Sequence, residues 1–383
     1  MLILFIFFIM AGIYIHIPFC KKACNYCNFH FSVNQKLMPE IVSAIVKEAI
    51  IRQSYLSQKI ETVYFGGGTP SLLSGNQLSF ILNELRNIFS FSADVEITLE
   101  ANPDDISVEK LAEWKEAGIN RLSIGIQSFF EEDLQWMNRA HDAKQALASI
   151  SNAKKAGFDN ISIDLIYGGP TLTNEHWQEN LQIAIEFLVP HLSCYALTVE
   201  PKTVLAKKIN NKELVDIDQE KQATHFNQLQ AFASLAGYEH YEISNLALAG
   251  KKSKHNSNYW SGEHYLGLGP AAHSFNGKSR QWNIANNSLY STSIQQDIIP
   301  FEIEFLSVTQ QLNEYIMTSL RTSDGIDLNN IVSIAGESML AMVLKDSEKY
   351  IEHGKMVLNS GHLLLTKQGK FYADGISADL FQL

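Results

Sequence analysis

The sequence predicts an α/β fold: a parallel sheet wrapped by helices as a β/α barrel, followed by a small helical domain with a β-wing. Three observations carry that prediction. From residue 13 to about 245, strand-length apolar runs alternate with helical stretches of a dozen or so residues, the rhythm of repeated βαβ units. After about residue 250 the rhythm changes. The chain of 383 residues is 46% hydrophobic and 19% charged, enough for one packed domain of roughly 250 residues and another of about 100.

The first strand candidate is IYIHI (13–17). A helical stretch, PEIVSAIVKEAIIRQ (39–53), leads to the strand TVYF (62–65), and NQLSFILNELRNIF (76–89) leads to VEITLE (95–100). The next helix, VEKLAEWKEAG (108–118), stops on Gly118, a residue suited to a helix end. Three further strands are RLSIGI (121–126), NISIDLI (160–166) and LSCYAL (192–197). On the order of six or seven such units close, or nearly close, into a barrel. Residues 251–300, rich in Asn, Ser and Gly, read as loop, and 307–353 read as helical. A short hairpin, MVLNSGHLLLT, and the segment GKFYADGISADLF complete the chain. The expected domains are an extension at 1–12, a barrel at 13–250, a loop-rich connector at 251–306 and a helical, winged domain at 307–383.

The opening run MLILFIFFIM is too short to span a bilayer, which takes about 20 apolar residues. It lacks the basic stretch and small-residue cleavage site of a signal peptide. Translation is therefore expected to start at Met10; a disordered or membrane-touching extension is the alternative. A net charge of −11 argues against a broad nucleic-acid-binding surface. Four cysteines in a chain this long make no disulfide framework, so a reducing cytosol is expected.

Strand register separates structural from functional side chains. Side chains of a barrel strand alternate between the helix layer and the interior. In the first strand Ile13, Ile15 and Ile17 form the apolar set, which turns Tyr14 and His16 inward. The same alternation turns Glu96, Thr98 and Glu100 inward, then Gln127, then Ser162 and Asp164. Buried polar groups are costly without partners. A satisfied polar core would explain any one of them; four strands in register point to a polar ligand. The second strand runs into YFGGGTPS (64–71), whose glycines are expected to let the backbone approach a ligand and offer it N–H groups.

Three of the four cysteines, Cys20, Cys24 and Cys27, lie in CKKACNYC (20–27), directly after the first strand. Thiolates so spaced can wrap one soft metal centre. Structural zinc needs a fourth ligand, for which His30 or His16 is at hand. A [4Fe–4S] cluster usually takes four cysteines; held by three, it keeps one iron open for a non-protein ligand. Cys194 lies in a strand and reads as a small core residue.

The motif CxxxCxxC behind YIHIPFC, with GGGTP after it, resembles the radical S-adenosylmethionine (SAM) superfamily. Within it the chain looks like the branch holding oxygen-independent coproporphyrinogen III oxidase and the HemW heme chaperones, from about Tyr14 to the C-terminus. The resemblance implies a partial (β/α)6 barrel whose cluster, on Cys20, Cys24 and Cys27, chelates SAM through its open iron. An electron from that cluster can cleave a carbon–sulfur bond to give a 5′-deoxyadenosyl radical. It also implies SAM contacts at Tyr14, Tyr26, Gly67, Gly68, Thr69, Glu100 of LEANP, Gln127 of GIQSF, Arg139 of MNRAH and Asp164 of IDLIYG. Arg139 rests on the resemblance alone, since an arginine at a helix end is ordinarily a solvated charge.

Two departures separate the branches. The oxidase resembles CxxxCxxCxC, whereas this chain has Phe29 at the last position. The oxidase also carries a substantial extension before its YxHIPFC motif, while thirteen residues precede Tyr14 here. A third feature, HNSNYW (255–260), matches the HNxxYW motif of HemW proteins. It implies heme contact by His255, Tyr259 and Trp260; a histidine nitrogen can hold heme iron and the aromatic rings offer flat apolar surface. Without the resemblance the segment reads as ordinary loop packing, and His264 or His273 is an alternative iron ligand. The resulting expectation is a cytoplasmic heme chaperone with a [4Fe–4S] cluster, SAM and heme, passing heme to acceptor hemoproteins of the respiratory chain. A peripheral membrane contact and a homodimer belong to the same expectation, and coproporphyrinogen oxidase activity is expected to be absent. The other reading is a radical SAM enzyme that decarboxylates coproporphyrinogen III.

Overall fold

The computed structural model describes residues 11–382, so the MLILFIFFIM segment and the expected start at Met10 lie outside the described residues. The strands are β1 (Ala11–Ile17), β2 (Ile60–Gly67), β3 (Phe91–Ala101), β4 (Arg121–Gln127), β5 (Ile161–Tyr167) and β6 (His191–Ala196). They continue with β7 (Glu239–Glu242), β8 (Asn245–Ala247), β9 (His264–Leu268), β10 (His273–Phe275), β11 (Ser279–Asn283) and β12 (Phe301–Phe305), then β13 (Ile326–Asp327), β14 (Met356–Asn359) and β15 (His362–Leu365). Helices precede β2 to β6 as the βαβ rhythm requires. Their ends follow local chemistry: Ser74 and Gln77 form a reciprocal capping box at the helix Gly75–Ile88. Gly118, at φ +100°, ends the helix Val108–Ala117 in the left-handed conformation.

Two compact units share the chain. The first gathers residues up to Lys21, Phe29–Leu122 and Lys254–Phe305; the second gathers Lys22–Asn28, Ser123–Ser253 and Leu306–Leu383. In the first, the strand order is β12-β11-β10-β9-β1-β2-β3. Here β1 pairs in parallel with β2 and β9, and β2 with β3, while β9 to β12 pair antiparallel. Ile13, Ile15 and Ile17 are fully buried, as the alternation requires. In the second, β5 and β6 are parallel and β6-β8-β7 antiparallel. The C-terminal segment builds its own core from Leu312, Ile316, Leu320, Ile331, Val343 and Leu363, with the small sheet β13-β15-β14. The strand order ends at β12 in the first unit and at β7 in the second.

Residues 251–306 are not the loop-rich connector expected. They form the helix Lys254–Ser261, strands β9 to β12 and the helix Asn287–Gln295. Their Asn and Ser residues act as caps and turn formers: Asn286 caps the second helix, and Asn276 accepts N–H bonds from Lys278 and Ser279. A buried charge fastens the segment. Glu48 accepts from the Gly269 N–H at 2.9 Å, Tyr290 Oη at 2.6 Å, Asn283 Nδ2 at 2.8 Å and Arg52 Nη1 at 3.1 Å. Arg52 Nη2 in turn donates to Gln281 Oε1 at 2.7 Å and Ser274 Oγ at 3.2 Å. A buried carboxylate with this many donors is satisfied and directional, so it specifies one arrangement of β9 to β11. No helix among the described residues is long and apolar enough to cross a membrane.

Candidate functional site

In the first unit the glycine run does steric work. His16 pairs with Gly66 and Ile17 with Gly67 across β1 and β2. Gly67 has φ +107°, and a Cβ there would come within 2.6 Å of the His16 ring. A Cβ on Gly68 would lie 2.6 Å from the Phe19 carbonyl oxygen and 2.8 Å from that of Ile17. Two N–H groups at the end of this run turn to the chain itself. Gly68 N–H donates to Ile17 O at 2.9 Å, and Thr69 N–H to Phe19 O at 2.7 Å. They clamp the chain that leads into Cys20. Thr69 Oγ1 then donates to Cys20 Sγ at 3.4 Å, and Asn102 Nδ2 donates to Thr69 at 3.3 Å.

Beside this clamp Tyr14, Tyr64 and Glu100 form one wall. Tyr64 Oη donates to Glu100 Oε1 at 2.8 Å, and the rings of Tyr14 and Tyr64 stack at 6.2 Å. A Cβ on Gly66 would meet all three within 3.1 Å, so this glycine makes room for them. Burial, with the Glu100 charge, pushes the Tyr14 phenol far above its ordinary pKa. Thr98 Oγ1 is buried and takes no protein partner among the described residues.

In the second unit the rest of the cysteine loop is stapled to the turn that carries Arg139. Asn25 N–H donates to Met137 O at 3.1 Å and Asn25 Nδ2 to Trp136 O at 2.7 Å. Asn138 Nδ2 donates to Ala23 O at 2.7 Å, and Lys22 Nζ to Arg139 O at 3.1 Å. Asn138 adopts φ +60° to do so, a conformation that asparagine tolerates better than most residues. Arg139 Nη1 donates to Cys24 Sγ at 3.2 Å and approaches Tyr26 Oη at 3.5 Å; Nη2 donates to Gly125 O at 3.0 Å. Burial opposes the guanidinium charge, but Tyr26 and Cys24 outweigh it and hold its pKa above the ordinary value. Arg139 is no solvated surface charge. His141 follows it, its pKa lowered to about 3 by burial and the Arg139 charge, and shares a hydrogen bond with Ile126 O at 3.1 Å. Gln127, buried at the end of β4, sits at φ +65°; such backbone strain in a non-glycine residue clusters at functional sites. Ser123 Oγ donates to Asp164 Oδ1 at 3.4 Å. Cys194 is buried, and burial with the Asp164 charge pushes its thiol well up, as suits a core residue.

The HNSNYW segment departs from its expected loop conformation. It lies in the helix Lys254–Ser261, not in a loop. His255 is 2% exposed. Its Nδ1 shares a 2.7 Å hydrogen bond with Thr62 Oγ1, and its Nε2 a 2.9 Å bond with Tyr259 Oη. The ring stacks on Tyr64 at 4.9 Å, and burial lowers its pKa to about 3. Its N–H donates to Glu96 Oε1 at 3.2 Å, and Glu96 lies 4.0 Å from Arg121. Both ring nitrogens of His255 are thus engaged within the protein. Tyr259 is edge-on to His255 and to Tyr265; Trp260 is half-buried.

All four cysteines carry reduced thiols, and those of the loop are half-exposed. Among the described residues no three His, Cys, Asp or Glu side chains converge as ligands of a single ion would. The imidazoles available for a zinc site are committed: His16 shares bonds with Tyr14 Oη at 3.2 Å and His30 O at 2.9 Å, and His30 Nε2 with Asn287 at 2.7 Å. The donor set instead suits thiolates bound at separate irons. Thr69 and the cationic Arg139 stand at the sulfurs of Cys20 and Cys24, and such donors favour the thiolate. Asn25, Asn138 and Tyr64 are the participants that sequence reasoning missed; an asparagine between two of the cysteines was the available signal.

Residues 14–184 match the radical SAM superfamily and residues 306–372 the HemN C-terminal domain. The chain is 35% identical to a heme chaperone HemW of Bacillus subtilis, over 96% of this chain and 98% of that one. It is 31% identical to a heme chaperone HemW of Mycobacterium tuberculosis, over 95% and 93% of the two chains. Among solved structures, the radical SAM enzyme coproporphyrinogen III oxidase (HemN) from Escherichia coli shares the fold, with a TM-score of 0.83 over 97% of this chain and 90% of that one, at 23% identity.

Proposed function

The chain belongs to the heme chaperone HemW family of the radical SAM superfamily, and from that premise we propose that it binds a [4Fe–4S] cluster, SAM and heme and passes heme to acceptor hemoproteins such as respiratory enzymes. Cys20, Cys24 and Cys27 would hold three irons of the cluster. With SAM bound, such a cluster supplies one-electron chemistry at a carbon–sulfur bond. The chain's own part is to bind and orient. Thr69 and Arg139 donate to the sulfurs of Cys20 and Cys24 and favour their ionised form. Glu100 offers a carboxylate, held by Tyr64, to the cationic end of SAM. Tyr14, Tyr26, Gly67, Gly68, Gln127 and Asp164 complete the SAM-binding set.

The observation that carries this reading is Arg139: a half-buried guanidinium aimed at a loop cysteine favours an anionic partner there. For the choice within the superfamily, the weight lies on Phe29, 66% exposed where the oxidase resemblance calls for a further cysteine. A cytosolic location, a peripheral membrane encounter and a homodimer belong to the same proposal. The test is oxygen-free reconstitution with iron, sulfide, SAM and hemin. A brown protein with about four irons per chain, a spectrum perturbed by SAM, stable hemin binding and no decarboxylation of coproporphyrinogen support the reading. Decarboxylation at a catalytic rate overturns the chaperone assignment, and a colourless product overturns the cluster.

A further inference from the structure

The turn that ends β4 is bent back on itself. Ser128 N–H returns to Ile126 O at 2.9 Å, and Gln127 between them sits at φ +65°. A γ-turn of this hand is the rare and strained one. Glutamine is not among the residues that tolerate positive φ well, so the conformation is imposed by its surroundings. Because φ sets the direction in which a side chain leaves the backbone, whatever holds this turn also aims Gln127.

Ser128, fully buried, is the hub. Its hydroxyl donates to Asp133 Oδ2 at 2.7 Å and accepts from Phe130 N–H at 3.2 Å and Asn180 Nδ2 at 3.3 Å. Its one proton and both lone pairs are thereby used. Asp133 in turn accepts from Thr171 Oγ1 at 2.6 Å on its other oxygen. Asn180 Oδ1 accepts the Phe129 N–H at 2.8 Å. This asparagine comes from a different element, the helix Asn174–Glu186, where it is buried in line with Trp177, Leu181 and Ala184. A primary amide in an apolar stripe is costly unless its bonds are made. Here they are made to the two residues that follow Gln127.

We propose that Asn180 is a positioning residue for SAM, holding the strained turn through Ser128 and the Phe129 N–H so that Gln127 meets the ligand; this rests on the SAM-binding reading above. Asp133 takes the Ser128 proton, which leaves the hydroxyl's lone pairs for Asn180 and Phe130. Asn180 then fixes the backbone one residue further on. Without it the Phe129 N–H loses its partner, and the turn is free to relax to negative φ, which re-aims Gln127. The loop cysteines are held by other contacts, Thr69 at Cys20 and Arg139 at Cys24. The loss therefore falls on SAM and not on iron.

The experiment is a double-mutant cycle on the full-length protein reconstituted without oxygen. SAM is titrated against the electron paramagnetic resonance signal of the reduced cluster, with iron content and urea midpoint measured alongside. Asn180→Leu is expected to bind SAM about tenfold more weakly while retaining iron like the wild type. Gln127→Ala should weaken SAM at least as much, and the double variant should be no weaker than Gln127→Ala alone, since one residue acts through the other. Leu181→Ala, next to Asn180 on the same helix, should lower the urea midpoint and leave SAM affinity unchanged. Where Asn180→Leu does not fold, Ser128→Ala removes the hub hydroxyl and makes the same comparison. Wild-type SAM affinity in these variants, or additive losses in the double variant, overturns the proposal. If SAM leaves the wild-type spectrum untouched, it is the SAM reading itself that fails.

Discussion

The two ends of the cysteine loop are held by different physics. Cys20 is fixed by backbone: Gly68 and Thr69 bond to the chain just before it, and a neutral hydroxyl meets its sulfur. Cys24 is fixed by charge, through a half-buried guanidinium 3.2 Å from its sulfur, on a turn that three further side chains tie to the loop. The difference teaches that motif cysteines need not be equivalent. One is positioned by where the backbone can go, the other by where a positive charge must be neutralised.

The severest test removes the thiols. Cys20→Ala or Cys24→Ala should each reduce iron retained after oxygen-free reconstitution to near zero; full retention in either would dissolve the comparison. Next come the two donors. Arg139→Gln should weaken cluster retention against a chelator by about 10–100-fold, as outer-shell partners do, and Thr69→Val by only a few-fold; the reverse order would break the contrast. Gly68→Ala forces a Cβ against the Ile17 and Phe19 carbonyls and should cost about 1–3 kcal/mol in urea unfolding. It should loosen Cys20 while leaving the Arg139 arm intact.

The smallest effect is on acid stability. Burial lowers the pKa of His16, beside the Cys20 arm, to about 4; burial and the Arg139 charge lower that of His141, on the Cys24 arm, to about 3. Above the ordinary 6.5 both states are neutral and nothing changes. Below it the unfolded chain takes the proton first, so stability falls with pH until the folded pKa is reached. His141→Asn should therefore move the acid unfolding midpoint down by about half a pH unit, and His16→Asn by less. Equal shifts would mean that the two arms bury their histidines alike.

Much of this architecture was legible in the chain. The apolar alternation located β1 to β6 to within a few residues, because strand periodicity is carried by covalent neighbours. The cysteine spacing and the glycine run located the site on the same grounds. The segment 251–306 misread because its strands are short and its Asn and Ser residues cap and turn as often as they loop. The steric part of the glycines was not legible: a Cβ on Gly66, Gly67 or Gly68 would meet atoms of Tyr14, His16 and Phe19 that folding brings there. The surroundings of His255 were not legible for a deeper reason: its bonding partner Thr62 is 193 residues away.

By itself, then, the sequence determined the strands β1 to β6 with their helices, the three thiols and the family. Only the tertiary structure decided which donor reaches which sulfur, that Arg139 is turned from solvent toward Cys24, and that His255 is bonded to Thr62 and Tyr259. Periodicity is a property of near neighbours. Whether a nitrogen remains available depends on partners that only folding brings within hydrogen-bond distance.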